Sequence, residues 1–139
     1  MKKSLRVIAA IIAMMSMLTV NVQAKSIHFF LTKGEKKVTD NTKDVDEAAW
    51  YITIDKPTGN SIYNFVKGQT VVGFRVRRTS SDTSTALSDY FTVSDFVDNK
   101  GYQYREGYVP KHKDKIYLHT QVDSTSKIPY VSFDGKWVT

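Results

Sequence analysis

Lys115-Ile116-Tyr117-Leu118-His119-Thr120-Gln121-Val122 alternates throughout: Ile116, Leu118, Thr120 and Val122 fall on one side, and Tyr117, His119 and Gln121 on the other. Successive side chains of an extended chain point to opposite faces, so this period of two predicts a strand with one face turned to a core. Val72, Phe74 and Val76 alternate in the same way with Gly73, Arg75 and Arg77, and Trp50, Ile52 and Ile54 with Tyr51, Thr53 and Asp55. The Trp50 segment stops at Lys56-Pro57-Thr58-Gly59-Asn60, which has turn chemistry. A further strand is expected from Tyr90 to Val93 or Phe96. Asp98-Asn99-Lys100-Gly101 reads as a turn before Tyr102-Gln103-Tyr104-Arg105, and Asp134-Gly135, after Tyr130, Val131 and Phe133, as a tight turn or bulge. No segment beyond residue 24 has helical periodicity. Short strands punctuated by turns predict an all-β fold, a single small antiparallel β-sandwich or partly open barrel.

The first 24 residues follow a different logic. Lys2, Lys3 and Arg6 precede an apolar stretch, Val7 to Val20, interrupted only by Ser16 and Thr19, and small residues stand at Val22 and Ala24. A basic head, an apolar middle and small residues before a cut predict a secretory signal peptide cleaved after Ala24. The alternative, a membrane anchor, needs roughly 20 apolar residues, and this stretch is shorter. Cleavage would remove 24 of the 139 residues and all three of those cations, so the net charge falls from +6 to +3 over 115 residues. The 8 Tyr, 7 Phe and 2 Trp all lie in the part that remains. A secreted protein without a transmembrane anchor is the expectation. The run from Lys33 to Glu47, whose only large apolar residues are Val38 and Val45, reads as a flexible polar arm after a short strand at Ile27 to Leu31. The expected organisation is therefore a signal peptide over 1–24, a strand and arm over 25–47, and the β domain over 48–139.

The chain has no cysteine, which excludes disulfides, thiolate metal sites and cysteine nucleophiles. A domain of this size buries roughly two-thirds of its unfolded surface and is stable without cross-links. Small eukaryotic secreted domains usually depend on disulfides, so their absence points to a bacterial source. His28, His112 and His119 are not spaced to converge on a zinc ion, and surface histidine is the expected role of His119. Ser124-Thr125-Ser126-Lys127 matches the spacing of a lysine-activated serine but falls between strands, without the helix or the companion motifs that chemistry requires. Asp89, Asp95, Asp98 and Glu106 are the nearest candidates for a glycosidase pair, and Asp44, Asp46 and Glu47 for calcium, but the latter lack the glycine and ligand ladder of a loop site. No cofactor and no metal are expected, and the chain reads as a non-enzyme, with a small secreted hydrolase as the remote alternative.

Two surfaces are the candidates for binding. Arg75 and Arg77 share the polar face of their strand, and Lys111, Lys113 and Lys115 alternate with His112 and Asp114. If extended, each set spaces its cations about 6.5 to 7 Å apart on one face, which suits a polyanion or, equally, a soluble and protected sheet edge. A charge of +3 is modest for a nucleic-acid binder, so a cell-envelope component, glycan or protein is the expected partner. Tyr102, Tyr104 and Tyr108 accompany Arg105 in a glycine-flanked segment, where they would supply either stiff contact area or core side chains with hydroxyls at the rim.

With its basic leader, the Trp50 strand, the Val72 to Val76 strand, Lys115-Ile116-Tyr117-Leu118 and the closing Val131-Ser132-Phe133-Asp134-Gly135-Lys136-Trp137, the chain resembles small secreted β-rich proteins of Gram-positive bacteria, mostly uncharacterised, some of them similar to lactococcin-type bacteriocins. The resemblance implies secretion and an all-β fold over residues 48–139, and it assigns no site residue. It adds a second expected function, a bacteriocin-like antagonist, beside the first, a non-enzymatic protein binding an extracellular or envelope macromolecule through its tyrosine-rich and basic segments.

Overall fold

The structure is a computed structural model that describes residues 24–44, 46–57 and 64–139. The expected signal peptide lies outside the described residues except for Ala24, as do Thr58, Gly59 and Asn60 of the first expected turn. Eight strands follow in order: β1 (Lys25–Thr32), β2 (Lys36–Thr42), β3 (Ala49–Ile54), β4 (Val72–Arg77), β5 (Phe91–Val93), β6 (Val97–Gln103), β7 (Lys115–Val122) and β8 (Tyr130–Val138). They form two four-stranded antiparallel sheets, β1-β8-β3-β6 and β2-β7-β4-β5, with no helix among the described residues. Except for the step from β4 to β5, each strand is followed by one in the other sheet.

The period-two faces close on one another. Ile27, Phe29 and Leu31 of β1, Trp50, Ile52 and Ile54 of β3 and Val131, Phe133 and Trp137 of β8 come from the first sheet; Val72, Phe74 and Val76 of β4 and Ile116, Leu118 and Val122 of β7 come from the second. All belong to one buried cluster, and Phe74 meets Phe133 across it edge-to-face at 6.5 Å between ring centres. Two sheets enclosing one apolar core make a sandwich-like arrangement. Polar β2 lies at an edge of its sheet, where charged side chains discourage pairing with another chain.

Three features differ from the expectations. The run expected to be a flexible arm contains β2, which pairs with β7 over its whole length, from Lys36 opposite Gln121 to Thr42 opposite Lys115. Its polar composition gives little burial, but ladder hydrogen bonds hold it, and at its end Lys43 is fully buried, its ammonium donating to the Glu47 carbonyl at 2.8 Å and lying 5.3 Å from the Tyr104 ring centre. The compact unit therefore takes in β1 and β2 rather than starting at residue 48.

Asp98-Asn99-Lys100-Gly101 is not a chain reversal but part of β6. Ile52 faces Lys100 while Ile54 faces Val97, so β6 carries one extra residue, and Asn99 sits at φ 47. That is a β-bulge, which uses the same left-handed conformation that makes Asn and Gly good turn residues. Asp134-Gly135 likewise lies inside β8, pairing with β1 on one side and β3 on the other. A Cβ on Gly135 would stand 2.0 Å from the Thr53 carbonyl oxygen, so here glycine permits close approach of two strands rather than a turn.

Candidate functional site

With Val72, Phe74 and Val76 turned inward, Gly73, Arg75 and Arg77 face outward from the second sheet. The register sets them in rows: Gly73 beside Gln121 and Lys36, Arg75 beside His119 and Val38, Arg77 beside Tyr117 and Asp40. Over these rows lies a concavity of about 320 Å³ lined by Lys36, Arg75, Arg77, Asp82, Tyr90, His119 and Gln121. Three strands provide most of it, and the rim comes from the connection between β4 and β5.

Tyr90 is held in a slot made by an absent side chain. A Cβ on Gly73 would lie 1.7 Å from the Tyr90 hydroxyl oxygen, so only glycine lets the phenol lie across β4. The hydroxyl donates to Asp123 at 2.9 Å and accepts from the Gln121 amide at 3.1 Å, and burial pushes its pKa up to about 12. The Arg75 guanidinium lies 5.5 Å from the centre of this ring. A cation over an aromatic face is attracted by the ring quadrupole, so Tyr90 orients the arginine.

Asp82 closes the opposite side. One carboxylate oxygen is 2.7 Å from the Lys36 ammonium, and the other is 3.1 Å from Nδ1 of His119. The hydrogen bond from Lys36 holds the Asp82 pKa below the usual carboxylate range. His119 is only 7% exposed, and its Nε2 faces the Thr79 carbonyl oxygen at 3.1 Å. Both partners of the ring are acceptors, so both contacts are satisfied when each nitrogen carries a proton. The expectation of a surface histidine is corrected: the loop after β4 folds back over the outward-facing ring. Arg77 donates from its guanidinium to the Ser84 carbonyl in the same loop. Arg75 differs from these neighbours: it has no hydrogen bond or ion pair among the described residues, and its Nε is shut off from solvent.

The other expected binding residues lie elsewhere. Tyr102 and Tyr104 are core residues at 8% and 5% exposure, with hydroxyls that have no hydrogen-bond partner among the described residues. Tyr102 stacks on Trp50 at 5.0 Å because the two stand opposite each other in the β3–β6 ladder. Burial pushes the Tyr104 pKa well up. Arg105 and Tyr108 are exposed, with the guanidinium 5.7 Å from the Tyr108 ring centre and 3.5 Å from Asp89. Lys111 to Asp114 form a turn rather than a ladder: the Asp114 N–H donates to the Lys111 carbonyl, and Lys113 sits at φ 71. Lys113 lies 3.7 Å from Asp44, and Lys115, at the start of β7, lies 3.1 Å from Asp40.

Of the sequence candidates, then, Arg75 and Arg77 come together, and Lys36, Asp82, Tyr90, His119 and Gln121 join them without having been anticipated. Gly73 was the available signal: a glycine in the middle of a strand marks a place where something approaches closely. Three of the acids that were the nearest candidates for a glycosidase pair have different surroundings. Asp89 lies beside Arg105, Asp95 pairs with Lys67 at 2.7 Å, and Asp98 lines a second, more apolar concavity with Asp55, Ile54 and Phe96. Ser126 is structural: its hydroxyl accepts from the Val71 N–H and donates to the Ile128 carbonyl in the turn between β7 and β8. Among the described residues no helix is long and apolar enough to cross a membrane. No protein-family model, curated protein or solved structure matches the chain.

Proposed function

We propose that the chain is a secreted, non-enzymatic β-sandwich protein that binds an acidic extracellular or cell-envelope macromolecule on the outer face of β2, β7 and β4. The observation that carries this reading is Arg75, a half-buried guanidinium in a concavity beside Lys36 and Arg77, with no anionic partner among the described residues. Removing a charge from water without pairing it is costly, and an arginine in that position gains most from an anion that arrives from outside. Asp82, the carboxylate lining the concavity, is already engaged by Lys36 and His119, which supports binding over hydrolysis by a carboxylate pair. The basic and apolar leader of residues 1–24 supports export.

Residues 25–139, which include all eight strands, are to be cosedimented with isolated cell walls, acidic glycans and anionic membranes at low and high salt. Retention at low salt that falls at high salt is the expected result, since cationic contacts are screened. Absence of retention on all three at low salt overturns the proposal, and salt-insensitive retention removes the cationic face from it. Intact-mass analysis of protein recovered from a secreting bacterial host should give a chain beginning at Lys25.

A further inference from the structure

Resting on that reading of the concavity, we infer that its ligand is one compact oxyanion group, a carboxylate or a phosphate ester, seated against the terminal nitrogens of Arg75 between Lys36 and Arg77. The inventory of donors and acceptors carries the inference. Arg75 has five N–H donors, none with a hydrogen-bond partner among the described residues, and Arg77 uses its guanidinium on one backbone carbonyl. The charged acceptor is engaged at both of its oxygens, by Lys36 and by His119. The Tyr90 hydroxyl both donates and accepts within the protein. Beyond the neutral side-chain carbonyl of Gln121, what the concavity has left over is positive charge and N–H groups, so its charge complement is a group with negatively charged acceptors. An incoming amine or metal cation would meet one carboxylate already held by two partners.

Geometry and size narrow the ligand further. The guanidinium is a planar fork matched to two oxygens of a carboxylate or phosphate, and here it lies 5.5 Å from the centre of the Tyr90 ring. Tyr90 is itself fixed by Asp123, Gln121 and the missing side chain at Gly73, so little ordering is left for the ligand to impose. A volume of about 320 Å³ lies at the small end of ligand sites, enough for a single acidic sugar or phosphorylated group. The macromolecule of the proposed function would therefore be held through one acidic unit at a time, with the rest of the polymer outside.

The test is isothermal titration and amide chemical-shift mapping of the purified protein with inorganic phosphate, with glucuronate and with neutral glucose, at constant ionic strength. Saturable one-to-one binding of phosphate or glucuronate but not glucose is expected, with shifts at Arg75, Arg77 and Lys36, and whichever anion binds more tightly identifies the source of the oxyanion. Arg75→Gln should weaken binding about tenfold or more, the effect of losing a charge-assisted pair. Lys136→Gln, on the other sheet, should change it less than about twofold, the scale of a screened, distant charge. If Arg75→Gln does not fold, Lys36→Gln decides: a loss of about threefold or more, as for a neighbouring charge, supports the inference, and unchanged binding overturns it. No saturation by either anion, or equal losses in Arg75→Gln and Lys136→Gln, also overturns it. Saturable anion binding without retention on any polymer removes the macromolecular function and leaves the inference standing; retention without anion saturation does the reverse.

Discussion

Two stretches of this chain look alike on paper and end in opposite states. Arg75 and Arg77 on β4, and Lys111, Lys113 and Lys115 leading into β7, both space cations by two residues, yet it is the first pair that lines the concavity on the second sheet. The second set is broken by a turn, and two of its members lie beside acids from elsewhere in the chain, Asp44 and Asp40. Tyr102 and Tyr108 make the same contrast within one segment, the first stacked on Trp50 and the second 43% exposed. Whether a side chain can serve a ligand depends less on its type or spacing than on whether another part of the fold already occupies it.

The tyrosine contrast should produce the largest difference. Tyr102→Ala removes a buried aromatic wedged between Trp50 and Phe91 and should cost about 3 to 5 kcal/mol in urea unfolding, whereas Tyr108→Ala should stay within about 0.5 kcal/mol. Similar losses for both would erase the distinction. Next comes Gly73→Ala, whose new methyl group would collide with Tyr90; displacement of the phenol should cost about 1 to 3 kcal/mol and, by releasing Arg75 from the ring, weaken anion binding as well. A fully stable variant with wild-type binding would show that Tyr90 does not orient the arginine.

The two cation sets can be set against each other directly. Arg75→Gln should leave stability unchanged or raise it by up to about 1 kcal/mol, because it removes a partly desolvated charge with no anionic partner among the described residues, while it abolishes salt-sensitive retention. Lys113→Gln should change retention little, and the reverse ranking would move the site to the β7 approach. The smallest effect concerns acid. Hydrogen bonds from Lys25 and Lys115 lower the Asp40 pKa from 3.8 to about 2 in the folded state. The stability this adds is fully present above the unfolded value and is lost as pH falls from about 4 towards 2, and in so exposed a cluster it amounts to at most about 1 kcal/mol. Urea midpoints of Asp40→Asn and the parent should therefore differ at pH 6 and converge near pH 2.

Much of the architecture was legible residue by residue. The inward faces of β3, β4 and β7 follow from alternation alone, because an extended chain sends neighbouring side chains to opposite sides whatever its partners. Legibility failed where one local chemistry serves two structures. Asn99 and Gly135 have the composition of turns, but a bulge needs the same backbone freedom as a reversal, and a close strand crossing needs the same missing side chain. It failed again in β2, where few apolar residues suggested an arm, since hydrogen bonds to β7 leave no mark on composition.

By itself the sequence determined the all-β class, the inward faces of the central strands, the cysteine-free core and the pair Arg75 and Arg77 as candidates, all of which depend on residue type and short-range spacing. Only the tertiary structure decided that Tyr102 and Tyr104 turn inward, that His119 is covered, and that Arg75, unlike its neighbours in the concavity, has no polar partner among the described residues. The physical reason is range. Lys36 meets Asp82 across 46 positions and Tyr90 meets Asp123 across 33, and such pairings, which settle what charge remains for a ligand, arise only when distant strands are laid side by side.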